Sequence, residues 1–555
     1  MADKKLALIL EEDGGFPNDA IFATNLIPVA REIKRAVFHD PAKDLNVTYD
    51  QFLTDVVYMR RQLKAHLSSF IDPQNGSMFA EPVLICTLAP ANYEFAVAAF
   101  AILALGATIV PLPTNTTPAL VFHHLRKSPV KYILAGSDFL DQANEFQAYA
   151  NQNFLPAVQV ESITVHNECP DSLWDLPHVN IAENLTFPES RPGIVFFSSG
   201  STGVPKGVIH NRGFFYNMPR LAPDESFLVH RPASWLAGTM PLASAVLGGA
   251  RAEIIDPASP PEAFWERLRT DKITTLMTTV VLWEKMARYY KHNLEAHPDR
   301  AQYVAGLHNL RTALIGGSVP VPSLLKFYSE EFNLQLGIAY GSTETGKIVS
   351  LLPPGVQVEE NRCIGKPLSP QNPFKLSDGD RGELLIGGIT TLLGYINDEA
   401  AIRAVLDDEG YLRTGDLVHK TGEFYFFDGR ASVDFIKTPG GPVPVVQLEE
   451  AVQTLEYFKE TYVVPVEDQV VGRRVGVLAR PRDASVSLAK LREDLASLVA
   501  PHMLPSAFRI LETDDTIPLT YTDKVSKKDI MKKFFLCDSE GKLPSVVELM
   551  DLEFQ

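Results

Sequence analysis

The chain has 555 residues, which is more than one hydrophobic core usually organises, so two or more domains are expected. Its 45% hydrophobic and 21% charged content is that of a globular protein and excludes a largely disordered chain. The formal net charge of −17 disfavours a nucleic-acid partner, because a negative protein repels polyphosphate backbones.

Strand-like and helix-like runs alternate through the first 350 residues. Residues 83–85 and 108–110 are predicted strands on either side of an apolar helix at 95–105, which is too short for a membrane span of about 20 apolar residues. Further strands are predicted at 131–135, 194–197, 252–255, 274–277 and 312–315. This alternation predicts an α/β fold with parallel sheets, whose ligands bind at the carboxyl ends of the strands.

The pattern changes in the last third of the chain. Residues 382–388 and 423–427 read as short strands separated by turns, which is typical of a small antiparallel β-barrel. Composition changes again after Arg430, where a compact strand-and-helix segment begins. We therefore predict a large N-terminal domain at 1–429 and a small, mobile α+β C-terminal domain at 430–555.

A Ser/Gly loop follows the predicted strand at 194–197 and ends in one lysine. Glycines let backbone amides approach an anion, hydroxyls donate further hydrogen bonds, and an ammonium group offsets phosphate charge. The loop is neither a Walker A sequence, since Gly207 follows the lysine, nor a GxGxxG pattern. It predicts a polyphosphate cradle, with a solvated surface loop as the alternative, and its members are Ser198, Ser199, Gly200, Ser201, Thr202, Gly203, Val204, Pro205 and Lys206.

The loop resembles the AMP-binding signature of the adenylate-forming superfamily, which includes acyl-CoA synthetases, 4-coumarate–CoA ligase-like enzymes, adenylation domains of peptide synthetases and firefly luciferase. The resemblance continues in order along nearly the whole chain, an agreement that is not expected by chance. Its further motifs lie at residues 48–49, 105–107, 110–111, 316–318, 340–344, 394–395, 411–417, 429–430 and 518–524.

The 340–344 motif is the metal and adenine site by this resemblance. In relatives the aromatic residue stacks on adenine, the threonine bonds the α-phosphate, and the glutamate helps to hold Mg²⁺, which prefers hard oxygen ligands. These residues are Tyr340, Thr343 and Glu344 here, and the resemblance also places Gly341 against the nucleotide and the acyl group. Seen alone, Glu344 could equally be a solvated loop carboxylate.

The resemblance assigns two further groups to the nucleotide. Gly316, Gly317 and Ser318 pass close to the adenine and the acyl group, although a plain turn would explain them in isolation. Asp416 accepts the ribose hydroxyls, a task that suits the two oxygens of a carboxylate, and Arg430 contacts the ribose at the domain junction. Either could be an exposed turn residue alone, and their pairing favours the functional interpretation.

Lys524 resembles the catalytic lysine of the small domain, which follows the negative charge that develops between the carboxylate and the α-phosphate. Lys206 and Thr343 complete the predicted catalytic set. The chain departs from its relatives here, because Asp523 stands where they usually have Gly and Lys527 where they usually have Arg. The alternative is that Lys524 is one of several basic residues on this segment.

The resemblance implies ATP, Mg²⁺ and, as co-substrate, coenzyme A. Lys437, Gly440 and Gly441 match the segment that meets the pantetheine arm in relatives, and the hinge at 430–437 is one residue longer than theirs. No carrier-protein domain follows residue 555, so the acceptor thiol is expected to come from elsewhere. Two alternatives stay open: a stand-alone ligase that loads a separate carrier protein, and a non-catalytic nucleotide or acyl-AMP binder.

The acid pocket is predicted at residues 230–239. Amino-acid-activating relatives use an aspartate there as counter-charge for the substrate ammonium, whereas no Asp or Glu occurs between Ser226 and Arg251. An apolar, aromatic or fatty-type carboxylic acid is therefore expected, with Trp235, Gly238 and Thr239 as its contacts. Trp235 could also be an ordinary core residue.

The termini and cysteines indicate the compartment. Four cysteines without CxxC spacing predict neither a disulfide framework nor a structural zinc site. The N-terminus carries no apolar secretory segment, and the C-terminus is not of the peroxisomal type. We expect a cytoplasmic enzyme of secondary metabolism, a monomer or homodimer with small-molecule substrates and no membrane span.

Overall fold

The architecture was taken from a computed structural model, which describes residues 15–72, 83–114, 117–119, 130–153, 158–165, 179–198, 206–356, 358, 360, 362–396, 398–430, 435–438, 441–468, 472–482, 486–520, 525–537 and 542–550. Over these residues the chain forms a mixed α/β fold with two large sheets and a smaller C-terminal sheet. The predicted fold class is confirmed.

The first large sheet has seven strands. Five of them are mutually parallel, while the strand that begins at Lys206 is antiparallel to both of its neighbours. The helices Tyr93–Ala104 and Leu140–Asn153 lie between strands of this sheet in the chain. The spatial order of the strands is Leu392–Tyr395, Lys206–Asn211, Pro192–Ser198, Thr108–Pro111, Leu84–Leu88, Val130–Ala135 and Gln159–Ser162.

The apolar helix predicted at 95–105 is the helix Tyr93–Ala104. Every one of its residues is buried, so its uniform hydrophobicity reflects a position inside the protein core. The Asn92 side chain caps the helix by accepting a hydrogen bond from the Phe95 amide. Nowhere in the described residues does a helix combine the length and apolar character that a bilayer crossing requires.

The second large sheet has thirteen strands, and its centre is parallel. The antiparallel strands predicted after residue 350 are present and continue this sheet. One core, which includes Phe196 of the first sheet and Phe38 of the second, packs the two sheets together. The spatial order is Phe374–Asp378, Arg381–Ile386, Leu412–Thr421, Phe424–Arg430, Cys363–Pro367, Lys347–Leu352, Gly337–Ser342, Thr312–Gly316, Thr275–Thr278, Ser226–Val229, Arg251–Ile254, Phe38–Asp40 and Leu45–Val47.

The helices that flank the second sheet are amphipathic. In Pro322–Phe332, proline occupies the first turn, and Leu324, Tyr328 and Phe332, four residues apart, form its buried face. Asn333 ends this helix in the left-handed conformation. The other α-helices before residue 430 are Ile27–Glu32, Tyr49–His66, Gly213–Asn217, Leu236–Gly248, Pro261–Thr270, Val280–Tyr289, Arg300–His308 and Glu399–Val405.

The C-terminal part has its own cores, built only from residues between 436 and 547. A hairpin of Phe435–Thr438 and Gly441–Pro444 precedes a four-stranded sheet. The Arg362 guanidinium of the large sheet lies 3.4 Å from the Glu450 carboxylate, which links the two parts. The sheet strands are Phe458–Asp468, Gly472–Pro481, Ala507–Ile510 and Glu548–Leu549, and the helices are Val445–Gln453, Leu488–Leu495 and Lys527–Phe534.

Candidate active site

The predicted site residues follow the carboxyl ends of neighbouring parallel strands. Ser226–Val229, Thr275–Thr278, Thr312–Gly316 and Gly337–Ser342 lie side by side and run in one direction. Their carboxyl ends therefore share one edge of the sheet, where ligands of open α/β sheets bind. The 316–318 and 340–344 motifs lie at this edge, next to one another.

Asp416 is a buried carboxylate at the centre of a polar cluster. The Tyr340 hydroxyl donates to Asp416 Oδ2 at 2.6 Å, and Arg430 Nε donates to Asp416 Oδ1 at 2.8 Å. The Asp416 side chain is only 6% exposed. Two adjacent strands bring the pair together, because Asp416 and Arg430 are direct partners in the antiparallel ladder. Both carboxylate oxygens are thus fixed in orientation.

Burial and charge act in opposite directions on Arg430. The Arg430 side chain is 44% exposed, and its partial burial alone would lower the pKa of the guanidinium. The Asp416 carboxylate, with smaller contributions from Tyr340 and Glu344, instead raises this pKa above its usual value. Burial and the same carboxylate raise the pKa of Tyr340. The tyrosine therefore stays a neutral donor and the arginine a cation.

Glu344 and Lys206 meet through Tyr395, which the sequence did not assign a role. The Tyr395 hydroxyl lies 3.4 Å from Glu344 Oε1, and the Lys206 ammonium lies over the Tyr395 ring, 5.3 Å from its centroid. The strand Leu392–Tyr395 pairs with the strand that begins at Lys206, which explains this proximity. Burial, followed by the Glu344 charge, raises the pKa of Tyr395.

These contacts connect the predicted phosphate, metal and ribose residues. Lys206 contacts Tyr395, Tyr395 contacts Glu344, and Arg430 is within electrostatic reach of both Glu344 and Asp416. These contacts connect Lys206 and Tyr395 at the first sheet with Glu344, Arg430 and Asp416 at the second. Thr343 lies at the same edge, in a turn where its carbonyl accepts from the Gly346 amide at 3.2 Å.

The glycines of the site differ in what surrounds them. Among the described residues, a Cβ at Gly316 would meet only the Ala339 carbonyl, at 3.8 Å, so these residues leave space beside it. Gly317 has a φ of 82°, which favours glycine. A Cβ at Gly341 would lie 2.4 Å from the Lys347 carbonyl, so the hairpin itself requires glycine there. Ser318 is exposed beside Gly317.

The predicted acid pocket contains both packed and accessible residues. Thr239 donates to the Ala233 carbonyl at 2.6 Å, and a Cβ at Gly238 would lie 2.1 Å from the Pro232 carbonyl, so both stabilise the local turn. Trp235, by contrast, is partly exposed.

Arg231 lies on the Trp235 side of this pocket. Its guanidinium is 5.4 Å from the Trp235 ring centroid and donates to the Thr278 and Thr279 hydroxyls at 2.8 Å each. Arg231 is buried. The pocket segment therefore brings a guanidinium and an aromatic ring together at the sheet edge.

Several predicted site residues lie outside the described residues, namely Ser199, Gly200, Ser201, Thr202, Gly203, Gly440 and Lys524. Ser198 ends the strand Pro192–Ser198 and pairs in register with Lys206. Lys437 and Gly441 belong to the backbone of the hairpin that follows the large sheet. Lys527, which replaces the arginine usual in relatives, forms an ion pair with Glu449 at 2.9 Å.

A second carboxylate cluster involves other elements of the chain. Glu253, Asp271 and His39 have ligand atoms close enough together to surround a cation. Arginines neutralise them instead, since Arg267 and Arg251 each donate to Glu253 at 2.6 Å and Arg267 also bonds Asp271. The cluster is a structural ion-pair network rather than a metal site.

Comparison of the sequence with known protein families gives the class of protein. The chain belongs to the AMP-binding enzyme family, whose profile matches residues 34–396. The predicted class, an AMP-forming acid–thiol ligase, is confirmed at the level of this family.

Named relatives extend the likeness over the whole chain. Acyl-CoA ligase oryP of Aspergillus oryzae is 29% identical over 94% of this chain and 93% of its own length. The mitochondrial malonate–CoA ligase ACSF3 of Xenopus laevis is 24% identical over 83% of this chain and 84% of its own length.

A solved structure shows the shared fold. O-succinylbenzoate coenzyme A synthetase (MenE) from Bacillus subtilis, in complex with ATP and magnesium ion, superposes with a TM-score of 0.70. The match covers 91% of this chain and 98% of that chain at 21% identity.

Proposed function

We propose that the chain activates a carboxylic acid with ATP as an acyl-adenylate and then transfers the acyl group to coenzyme A, releasing AMP and pyrophosphate. The observation that carries this proposal is the chain of contacts that joins Lys206, Tyr395, Glu344, Arg430 and Asp416. One ATP molecule needs a phosphate contact, a metal ligand and a ribose acceptor within its own length, and Lys206, Glu344 and Asp416 are the proposed residues for these three roles.

The ribose end is the best-defined part of the proposed site. A carboxylate has about four acceptor positions on its two oxygens. Among the described contacts, Tyr340 and Arg430 each use one position, on different oxygens of Asp416, and we propose that a further position on each oxygen accepts from a ribose hydroxyl. The fixed orientation lowers the entropic cost of binding the sugar.

The phosphate end combines a cation with a carboxylate. Lys206 offsets the charge of the triphosphate, and Thr343 is the proposed donor to the α-phosphate. Glu344 fits a magnesium ion, because among the described residues its Oε1 receives only the long 3.4 Å contact from Tyr395. Magnesium commonly joins one or two carboxylates to substrate phosphates. When bound, the ion neutralises charge on the leaving pyrophosphate.

The proposed chemistry has two steps. An oxygen of the substrate carboxylate attacks the α-phosphorus, and the bond to pyrophosphate breaks. The thiolate of coenzyme A then attacks the acyl carbon of the mixed anhydride, and AMP leaves. The protein positions the reactants and stabilises developing negative charge, and Lys524 is proposed to do so in the first step.

Domain rotation between the two steps is part of the proposal. The separate cores of the part after residue 436 support a boundary near Arg430, between 1–429 and 430–555. The Arg362–Glu450 ion pair is a contact that such a rotation would break. Lys437, Gly440 and Gly441 are the proposed contacts of the pantetheine arm.

An apolar, aromatic or fatty-type acid is the proposed substrate, and Trp235 its proposed aromatic contact. The absence of Asp and Glu between Ser226 and Arg251 argues against an α-amino acid, because a buried ammonium needs a counter-charge. The buried Arg231 guanidinium lies beside Trp235 and could pair with a second carboxylate of a substrate. Dicarboxylic acids are therefore included among the acids to be tested.

The test is pyrophosphate release from Mg-ATP with a panel of fatty, aromatic, dicarboxylic and amino acids. Coenzyme A or a phosphopantetheinylated carrier protein is then added, and acyl thioester is measured by mass spectrometry. We expect pyrophosphate with a fatty or aromatic acid and thioester with free coenzyme A. Thioester on the carrier alone would assign the stand-alone ligase function, and ATP binding without pyrophosphate for any acid would assign the non-catalytic one.

A further inference from the structure

His210 occupies an unexpected place beside the proposed ATP site. It lies four residues after Lys206 on one strand, so the two side chains share a face of that strand. His210 is 0% exposed and packs between the rings of Phe196 and Phe214, with centroid distances of 6.2 and 5.7 Å. A polar ring in such surroundings needs hydrogen-bond partners for both nitrogens.

Both ring nitrogens have partners from distant parts of the chain. Nε2 lies 2.7 Å from the carbonyl oxygen of Thr343, and Nδ1 lies 3.1 Å from the Thr391 hydroxyl. Burial lowers the pKa of His210 to about 4, so the ring is neutral near pH 7. Because a carbonyl only accepts, the single proton must lie on Nε2, and Nδ1 accepts from Thr391.

The Thr343 carbonyl belongs to a turn of residues 343–346, which we call the 343–346 turn. This turn carries Thr343 and Glu344, the proposed phosphate and metal contacts. The same carbonyl accepts from the Gly346 amide at 3.2 Å. Gly346 has a φ of 65°, and a Cβ there would lie 2.8 Å from His210 Cε1. The imidazole edge therefore contacts the turn through a hydrogen bond and through close packing.

We propose that His210 is a positioning residue for adenylation, which fixes the 343–346 turn to the strand that begins at Lys206. This inference rests on the proposed adenylating function. Lys206 approaches the phosphates from the first sheet, whereas Thr343 and Glu344 approach from the second. The His210 Nε2 bond is a direct connection between the two, so it sets the spacing between the lysine and the metal carboxylate.

The consequence concerns geometry rather than charge. Displacing catalytic groups by about 1 Å can reduce a rate by roughly 100-fold. Loss of the Nε2 donor should therefore raise the Mg²⁺ concentration needed for half-maximal pyrophosphate release and lower kcat. The KM for the acid should change little, since Trp235 and the rest of the predicted acid pocket belong to another part of the chain, at and before the start of the helix Leu236–Gly248.

Two matched variants separate the two nitrogens. In His210→Gln the amide nitrogen takes the place of Nε2 and donates to Thr343, whereas in His210→Asn only the Nδ1 position is retained. We expect His210→Gln to stay within about threefold of the wild type in kcat and in Mg²⁺ half-saturation. We expect His210→Asn to lower kcat and to raise the Mg²⁺ half-saturation concentration, each by at least about tenfold, while the KM for the acid stays within twofold of the wild type.

Calorimetric titration of each variant with Mg-ATP gives a readout that does not require turnover. Mg-ATP binding that is at least about tenfold weaker in His210→Asn than in His210→Gln supports the role of His210 in holding the turn. This holds even if no acid is turned over, because the absence of turnover would contradict only the adenylating function. Equal Mg-ATP affinity and equal Mg²⁺ dependence in the two variants would overturn the role of His210.

Two variants that leave His210 unchanged test the proposal even if His210→Asn does not fold. Gly346→Ala leaves the histidine intact but drives the 343–346 turn away from it, and Thr391→Val removes the other partner. We expect Gly346→Ala to reproduce the rise in Mg²⁺ half-saturation and Thr391→Val to have a smaller effect. A folded Gly346→Ala protein with wild-type Mg²⁺ dependence would also contradict the proposal.

Discussion

Arg430, the last residue of the thirteen-stranded sheet, donates to Asp416 at 2.8 Å from the neighbouring strand. The chain passes directly from this arginine into the segment that leads to the C-terminal part. The proposed ribose site and the proposed hinge therefore meet at one residue, which offers a physical route by which nucleotide binding is coupled to domain position.

Asp416→Asn should weaken ATP binding by at least about tenfold, about 1.4 kcal/mol, because the amide keeps the shape but loses the charge that Arg430 and the ribose hydroxyls share. Calorimetry with ATP and with 2′-deoxy-ATP checks the assignment. The losses in binding free energy caused by Asp416→Asn and by removal of the ribose 2′-hydroxyl should be less than additive, since both changes affect the same hydrogen bond. Full additivity would place the ribose elsewhere.

Glu344→Gln should raise the Mg²⁺ concentration for half-maximal pyrophosphate release by at least about tenfold, because a neutral amide is a poorer ligand for a hard cation. Magnesium titrations at fixed ATP measure the effect. Tyr395→Phe is the matched control: it removes the hydroxyl 3.4 Å from Glu344 but keeps the ring under Lys206, and should change the value by less than about threefold. The assignment fails if both variants behave alike.

Lys524→Ala should lower adenylation by at least about tenfold, roughly 1.4 kcal/mol of transition-state stabilisation. Lys527→Ala provides a control from the same basic segment, because the Lys527 ammonium already pairs with Glu449 and should affect adenylation less than about twofold. Pyrophosphate release measures both. Unchanged release in Lys524→Ala would remove this lysine from the mechanism.

Stability should fall in mild acid. Burial lowers the pKa of His210 from 6.5 to about 4, and burial with the nearby Arg231 charge lowers that of His230 from 6.5 to about 3. Between those values and 6.5 the unfolded chain binds protons that the folded chain does not, so stability is present above pH 6.5 and is lost as pH falls.

Between pH 6.5 and pH 5, protonation of these two histidines in the unfolded chain should lower the free energy of unfolding by about 3 kcal/mol in total. Urea denaturation at the two pH values measures the loss. His210→Gln should reduce it by about half, and a pH-independent urea midpoint in the wild type would contradict the burial of both rings in their neutral form.

The predictable part of the fold came from local patterns. Apolar runs located the strands Thr312–Gly316 and Val130–Ala135, and the wholly apolar 95–105 run located a core helix. The family resemblance assigned Asp416 and Arg430 to one site, and in the structure they face each other across a single hairpin. These features depend on residues close in sequence.

The contacts that the sequence did not reveal are long-range. His210 and Thr343 are 133 positions apart, and Glu344 and Tyr395 are 51 apart, so neither pair leaves a local pattern. Gly341 and Gly238 were read as ligand contacts, yet backbone carbonyls 2.4 and 2.1 Å from a Cβ would require glycine at both places without any ligand. Packing of distant segments determines such details.

The central claim is that one ATP molecule spans Lys206, Glu344 and Asp416. A crystal structure of the protein with magnesium and a non-hydrolysable ATP analogue tests it most directly. We expect the γ- or β-phosphate beside Lys206, the metal ion at Glu344 and both ribose hydroxyls at Asp416 within a single bound nucleotide. A nucleotide bound with its ribose away from Asp416, or with its phosphates away from Lys206, would contradict the claim.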